Sequence, residues 1–348
     1  MGRGGKVSPR KPRVGLIGLG AMGRVHYDCW RKSNVGELVA VCDRDPRKLA
    51  GAWGSQEFNL GNQTSEKVDL SDLRTFALAD DLFADSEIDI VDICMPTLFH
   101  APLAIAALRA GKHVFCEKPM ALNVAECLAM EEAASIAGRQ LVIGHCLRYW
   151  SHYVKAREVL QSGEFGRPQY ASLRRSSAAP VWSSGGWLMK ASESGGVLDM
   201  HIHDIDMALW WFGHPRAIAA SGFAPGGLPL IMDARWDYNG FSAQLHSSWD
   251  RNGGEFHHAF KIIFERATLS YDLATDPSDK IRLLQGGRET LLQIEAPMAY
   301  HAELDDFAAA VRDGIPLTRI TPTESRIAVE VGLEELHQIS AVNDSARG

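Results

Sequence analysis

The sequence predicts two packed units: an α/β unit on a doubly wound parallel sheet, then an α+β unit on a large open, mainly antiparallel sheet. Three observations carry this. Across residues 14–148, short apolar runs alternate with helical stretches. Across residues 149–348, a helix leads into a series of strand-like segments, and two helices close the chain. The length of 348 residues accommodates two domains at roughly 150 residues each.

Taken in order, residues 1–13 carry Arg3, Lys6, Arg10, Lys11 and Arg13 among glycines and prolines. No apolar stretch follows, so a flexible basic tail is expected rather than a secretory signal. Val14–Gly18 reads as a buried strand entering a glycine turn, Ala21–Arg31 as a helix, and Glu37–Cys42 as a second strand. Polar residues 54–80 form a surface excursion. Strands follow at Ile88–Met95, His113–Cys116 and Gln140–Gly144, with helices at Ala101–Ala110 and Ala121–Ala137 between them. Such crossovers are right-handed almost without exception, which gives the doubly wound sheet.

The second unit opens with a helix at Tyr153–Ser162 and a strand at Gln169–Arg175, then a loop rich in Ser, Gly and Trp from Ser176 to Ser194. A helix spans Val197–Phe212, with Trp210 and Trp211 expected in the core or an interface. The following strands are expected at Ala217–Phe223, Leu228–Tyr238, Phe241–Ser248, Ala259–Glu265, Ala267–Leu273, Lys280–Leu284 and Thr290–Ile294. The closing helices are Ala302–Asp313 and Thr323–Ile339, the last one packing back on the first unit.

Composition narrows the function. Hydrophobic residues make up 46% and charged residues 23%, values of a folded globular chain. A net charge of -7 argues against a surface that coats nucleic acid. The longest apolar run, Ala101–Leu108, is far short of the roughly 18–20 residues needed to span a bilayer, so no membrane segment is expected. The six cysteines all lie within the first 146 residues, without a CxxC pair or zinc spacing. Reduced core cysteines and a cytoplasmic location are expected.

Gly18-Leu-Gly20-Ala21-Met22-Gly23 matches GxGxxG in the context its mechanism needs, after a strand and opening a helix. Gly18 allows the tight turn, Gly20 lets main chain approach a pyrophosphate, and Gly23 lets helix and strand pack closely. Asp43 ends the next strand, where a carboxylate binds ribose hydroxyls and repels a 2′-phosphate. NAD is the expected cofactor. NADP is the second choice, because Arg44 and Arg47 adjoin Asp43 and suit that phosphate.

Gly111–Pro119 places Glu117 and Lys118 at the carboxyl end of a buried strand, the edge where open α/β sheets bind ligands. A lysine in a partly dry cleft loses solvation, which lowers its pKa toward about 7–8 and suits it to acid–base work. Together with Cys42-Asp43, Met95-Pro96-Thr97-Leu98-Phe99-His100 and Gly195-Gly-Val-Leu-Asp199-Met-His-Ile-His203-Asp-Ile-Asp206, these motifs occur in an order that resembles the glucose–fructose oxidoreductase, inositol dehydrogenase and MocA family. The resemblance spans nearly the whole chain. It implies a Rossmann domain, a substrate domain whose sheet forms homodimers or homotetramers, and NAD(P)-linked oxidation of a sugar or polyol hydroxyl with Lys118 as acid/base. It also leaves two alternatives: a redox-neutral NAD-dependent glycosidase, and a dinucleotide-sensing regulator without catalysis.

Asp199 and His203 stand four apart on a predicted helix, so they face one side; Asp206 falls on the same stripe. By the resemblance they are the substrate pair beside Lys118. On chemistry alone, Lys118 takes the hydroxyl proton, His203 bonds the same oxygen and Asp199 fixes a neighbouring hydroxyl; a structural His203 is the alternative. His201 and His203 are two apart on a helix and cannot grip one metal ion, so no metal is expected. His201 either shapes substrate choice or packs.

Pro96, Thr97 and His100 follow a strand end and are candidates for the dinucleotide, although His100 equally suits packing. His145 and Arg148 follow the last parallel strand and point toward the cleft. Arg148 either meets a nicotinamide or substrate oxygen, or forms a salt bridge linking the domains. Arg174 and Arg175, just before the loop, and Trp182 and Trp187 within it are candidates for substrate recognition, Arg174 being the arginine chosen. Aromatic faces stack on sugar C–H surfaces and arginine forks onto anions.

Overall fold

A computed structural model describes residues 10–54, 67–181, 183–295 and 298–345. The first sheet is six-stranded and all parallel, in the order β3-β2-β1-β4-β5-β6, with β1 Arg13–Ile17, β2 Glu37–Cys42, β3 Arg74–Phe76, β4 Ile90–Ile93, β5 His113–Glu117 and β6 Leu141–Gly144. Its central strands are buried on both faces, as their unbroken apolar runs require. Helices Ala21–Lys32, His100–Arg109 and Val124–Ala137 supply crossovers. Asn123 caps the last of these by accepting from Glu126 N at 2.9 Å, and Gly138 ends it in the left-handed region.

The second sheet has eight strands, ordered β14-β13-β12-β11-β7-β10-β9-β8. Its strands are β7 Pro168–Ala178, β8 Ala217–Phe223, β9 Ile231–Asp237, β10 Ser242–Asp250, β11 His257–Phe264, β12 Thr268–Asp272, β13 Lys280–Gln285 and β14 Arg288–Gln293. Only β7 and β10 pair in parallel; all other neighbours are antiparallel. Helix Leu198–Phe212 lies on one face. Trp211 stacks on Tyr153 with ring centroids 5.6 Å apart, and Trp210 sits beneath Arg157, so both pack as expected.

Two closing helices bind the halves together. Ala299–Asp313 packs on the first helix through Leu304 and Phe307, inside a core that contains Val14, Leu16 and Trp30. Pro322–Ser345 runs longer than the sequence predicts: Arg326 reaches Glu131 of the first unit at 3.1 Å, while Glu335 accepts from Trp236 Nε1 of the second at 2.6 Å.

Three local expectations change. The excursion at 54–80, of which residues 55–66 lie outside the description, returns as β3 and helix Ala79–Ala84. A three-residue edge strand is too short to show periodicity. Strand β7 continues to Ala178, and the segment read as a loop contains a 3₁₀ stretch at Ser184–Met189 and a helical turn at Ala191–Ser194. The expected tail falls mostly in residues 1–9, outside the description. Among the described residues, all six cysteines are buried and reduced, and no helix is long and apolar enough to cross a membrane.

Candidate active site

The carboxyl ends of β1, β2, β4 and β5 open onto one cavity of about 850 Å³, with the second sheet closing its far side. At the β1 end the glycines divide their labour. Gly18 has φ +90°, and a Cβ there would stand 2.4 Å from Cys94 O. A Cβ on Gly23 would meet Gly18 O at 1.8 Å, so close helix–strand contact demands glycine. Gly20 has open space at its Cβ position and lines the cavity. It is also the N-cap of helix Ala21–Lys32 and supplies no side-chain cap, leaving first-turn N–H groups for a ligand. Ala21 and Met22 line the cavity beside it.

Asp43 binds the turn itself: its carboxylate accepts from Leu19 N and Asp45 N, each at 2.9 Å, and from Lys48 Nζ at 3.2 Å. Oδ2 takes the Leu19 and Lys48 contacts, while Oδ1, which accepts from Asp45 N alone, keeps a lone pair for a ligand. Arg44 lines the cavity with its guanidinium 5.8 Å from the Phe99 ring. Arg47 turns away to Asp45.

At the opposite end, Lys118 leaves β5 and crosses to helix Leu198–Phe212. Its Nζ donates to Asp199 O at 2.9 Å and Asp199 Oδ2 at 3.2 Å. His203, one turn further along, lines the same cavity, and its buried Nδ1 has no partner. Burial, then the charges of Lys118 and Arg175, hold the His203 pKa well below the usual imidazole range. It is a neutral imidazole. Lys118, Asp199 and His203 therefore converge, with Glu117 beside them. Pro96 and Trp187 also line the space.

Other sequence candidates lie elsewhere. Arg148 is buried away from the cavity lining: its Nε and Nη2 bond Asp206 at 2.7–3.2 Å, and its Nη1 donates to Arg319 O at 2.7 Å. It links chain segments, and Asp206 is spent on it. His100 sits between two carbonyl acceptors, with Nδ1 2.7 Å from Pro119 O and Nε2 2.7 Å from Met95 O, which clamps the Lys118–Pro119 turn from behind rather than meeting a ligand. Thr97 is buried outside the lining. Arg174 points to the exposed face of β7, so its neighbour Arg175 is the one that reaches the cavity, where it is paired with Asp204 at 3.0 Å. His145 is buried with both ring nitrogens unpartnered, and Asp206 is 3.7 Å away. His201 packs, held between Ser247 Oγ at 2.8 Å and Glu335 at 2.9 Å. Trp182 lies outside the described residues.

Sequence reading missed His258, Trp249, Phe256 and Tyr300, which complete the wall. Strand parity held the signal for His258, which shares a face with Phe260 and Ile262. It also missed a buried trio behind Glu117. His26 Nδ1 lies 2.9 Å from Asp92 Oδ2, and its Nε2 lies 3.0 Å from Glu117 Oε1.

The chain matches the sequence profile described as an oxidoreductase family with an NAD-binding Rossmann fold over residues 12–145, and that of the GFO/IDH/MocA C-terminal domain over residues 153–270. It is 32% identical over 266 residues to inositol 2-dehydrogenase of Rhizobium meliloti, covering 75% of this chain and 71% of that one. It is 30% identical over 321 residues to inositol 2-dehydrogenase of Acidothermus cellulolyticus, covering 88% and 86%. The aldose–aldose oxidoreductase of Caulobacter crescentus superposes with a TM-score of 0.80 at 22% identity over 96% of this chain and 98% of that one, a likeness of fold. With both halves matched and the glycine turn, the acidic strand end and the lysine in place, the chain belongs to the GFO/IDH/MocA family of NAD-binding oxidoreductases.

Proposed function

We propose that this protein is an NAD-dependent dehydrogenase acting on a secondary hydroxyl of a sugar, polyol or glycoside, with Lys118 as acid/base. The observation that carries the reading is the convergence of Lys118 from β5 with Asp199 and His203 from the second unit on one cavity. The cofactor fits the other end. Open space over Gly20, uncapped helical N–H groups and the Asp43 carboxylate form a cradle for a pyrophosphate and a ribose. Bound there, nicotinamide supplies a two-electron hydride acceptor.

The chain's own groups supply the rest. Asp199 holds the Lys118 nitrogen in place. For alcohol oxidation, Lys118 acts as the amine and takes the hydroxyl proton at Nζ; for carbonyl reduction, its ammonium returns that proton. His203, kept neutral by burial, hydrogen-bonds the same oxygen and helps orient the carbon. Because Asp204 already neutralises Arg175, the wall favours an uncharged substrate. Trp187, Trp249 and Phe256 offer apolar faces to sugar C–H bonds. The relatives named inositol 2-dehydrogenase support a polyol.

The test is a screen of purified protein with NAD⁺ and NADP⁺ against sugars, inositols, glycosides and sugar acids, following absorbance of reduced cofactor. Turnover of a neutral polyol with NAD⁺ is expected, while turnover of sugar acids alone would overturn the substrate reading. Residence in the cytoplasm and a homodimer or homotetramer through the exposed face of the second sheet, where Arg174, Gln244 and Lys261 lie, belong to the same proposal. Light scattering showing a monomer would remove the oligomer from it.

A further inference from the structure

We propose that a buried carboxylate–imidazolium–carboxylate relay, Asp92–His26–Glu117, fixes a negative charge at the reacting end of the cavity and makes the site hold oxidised, cationic nicotinamide more tightly than the reduced, neutral form. The inference rests on the NAD reading above and assigns His26 and Asp92 as positioning residues.

His26 is fully buried on helix Ala21–Lys32, facing Asp92 of β4 and Glu117 of β5. Its Nδ1 faces the Asp92 carboxylate at 2.9 and 3.1 Å, and its Nε2 faces Glu117 Oε1 at 3.0 Å. Ionised carboxylates only accept, so both ring nitrogens must carry hydrogen. Burial works against that imidazolium, yet the adjoining Asp92 carboxylate keeps its pKa well above the ordinary value. Asp92 is anchored from behind by Trp30 Nε1 at 2.7 Å. Glu117 completes the relay, accepting from Lys118 N at 3.2 Å through its second oxygen while it lines the cavity.

The charge count gives the relay its meaning. Besides Asp92 and Glu117, the titratable groups packed around His26 are Cys29, Cys94, Tyr300 and Glu303. Burial pushes both thiols and the phenol up, which leaves them neutral. Glu303, whose carboxyl oxygens have no partner, is pushed well above the carboxylate range by burial and by Glu117, and is neutral as well. Two carboxylates against one imidazolium leave one negative charge, and Glu117 is its cavity-facing member. Keeping three ions out of water is costly, and a packing role alone does not require it. Hydride uptake removes the ring's positive charge, so a fixed anion nearby distinguishes the two cofactor states and eases release of the reduced one. At an effective dielectric of about 20, a unit charge discriminates by roughly tenfold or more out to about 10 Å.

The test measures dissociation constants of NAD⁺ and NADH by calorimetry for the full chain, His26→Gln, Glu117→Gln and the double variant. The expected result is a fall of about tenfold in the ratio Kd(NADH)/Kd(NAD⁺) for Glu117→Gln. His26→Gln is expected to move the ratio the same way, because an unpaired buried Glu117 takes up a proton. The double variant should go no further than the larger single change. A ratio unmoved in Glu117→Gln, with both affinities falling together, would overturn the proposal even if His26→Gln fails to fold. A ratio that shifts when the unmodified protein is treated with EDTA would also overturn it, by assigning His26, Glu117 and Glu303 to a cation. Failure of the unmodified protein to bind either cofactor form would instead defeat the NAD reading beneath it.

Discussion

At the glycine-turn end of the cavity the chain works with main-chain groups: an uncapped helix start, an open Cβ position at Gly20 and one carboxylate, Asp43, braced on Leu19 N. At the opposite end it works with side chains drawn from distant segments, Lys118 on β5 and Asp199 and His203 on a helix some 80 residues away, the two meeting through a 2.9 Å contact. The first end needs only local geometry and presents fixed dipoles. The second exists only when both units are assembled, and it tolerates an unpartnered nitrogen on His203. One end is built to hold; the other is built to react.

Lys118→Ala tests that division hardest. Turnover is expected to fall by roughly 10²–10⁴, the usual worth of a positioned acid/base, while the Kd for NAD⁺ stays within about threefold. Steady-state kinetics and calorimetry read the two effects separately. A loss of cofactor affinity matching the loss of turnover would erase the distinction between the ends. Arg148→Ala probes the scaffold that joins them. It strands Asp206, which is 1% exposed, as an uncompensated buried charge. Unfolding in urea should show a loss of about 3–5 kcal/mol, with turnover of the folded fraction preserved. Wild-type stability in this variant would mean that Arg148 does not join the segments.

The same contrast explains what could be read from the chain alone. Gly18, Gly20, Gly23 and Asp43 act within one strand–turn–helix unit, so their spacing discloses them. Lys118 is disclosed by standing at a strand tip, and Asp199 and His203 by helical period. Of Arg174 and Arg175, the continuation of the strand to Ala178 decides: its alternation turns Arg175 inward and Arg174 outward. Arg148 and His100 carry the chemistry of a site, but their partners, Asp206, Pro119 O and Met95 O, are set by tertiary packing. The relay is less visible still, since His26 meets Asp92 and Glu117 across 66 and 91 residues. No local period links such positions.

Acid sharpens the comparison, because neutral imidazoles gather at the reacting end. His145, His203 and His258 are held below the ordinary pKa of 6.5, in each case chiefly by burial. So are His100, His113 and His152, the last two down to about 4. Below pH 6.5 the unfolded chain takes up protons that these folded rings refuse, so their stabilisation is complete above that pH and is lost as the pH falls. His26 and Glu303, both raised, have the opposite sign, but they are two groups against six rings. Thermal unfolding should show a loss of a few kcal/mol and about 5 °C between pH 7 and pH 5. A flat or rising Tm would mean that these rings are hydrated and the reacting end is open to water.

The smallest effect separates holding from reacting most cleanly. Gly20 has φ −86° and ψ −161°, extended backbone open to any residue, and nothing lies within 4 Å of the Cβ position. Gly20→Ala should therefore fold with stability within about 0.5 kcal/mol of the parent, or slightly above it, since alanine restricts the unfolded chain. Its methyl nevertheless projects into the cavity where a pyrophosphate must approach main-chain N–H groups. The expected result is a loss of roughly tenfold in affinity, about 1.4 kcal/mol, for NAD⁺ and NADH alike, because the phosphates keep their charge when the ring is reduced. Gly23→Ala, whose methyl would collide with Gly18 O, should instead fail in folding. Calorimetry that finds Gly20→Ala binding NAD⁺ as tightly as the parent would place the phosphates away from this turn, and the main-chain end of the cavity would lose its assigned ligand.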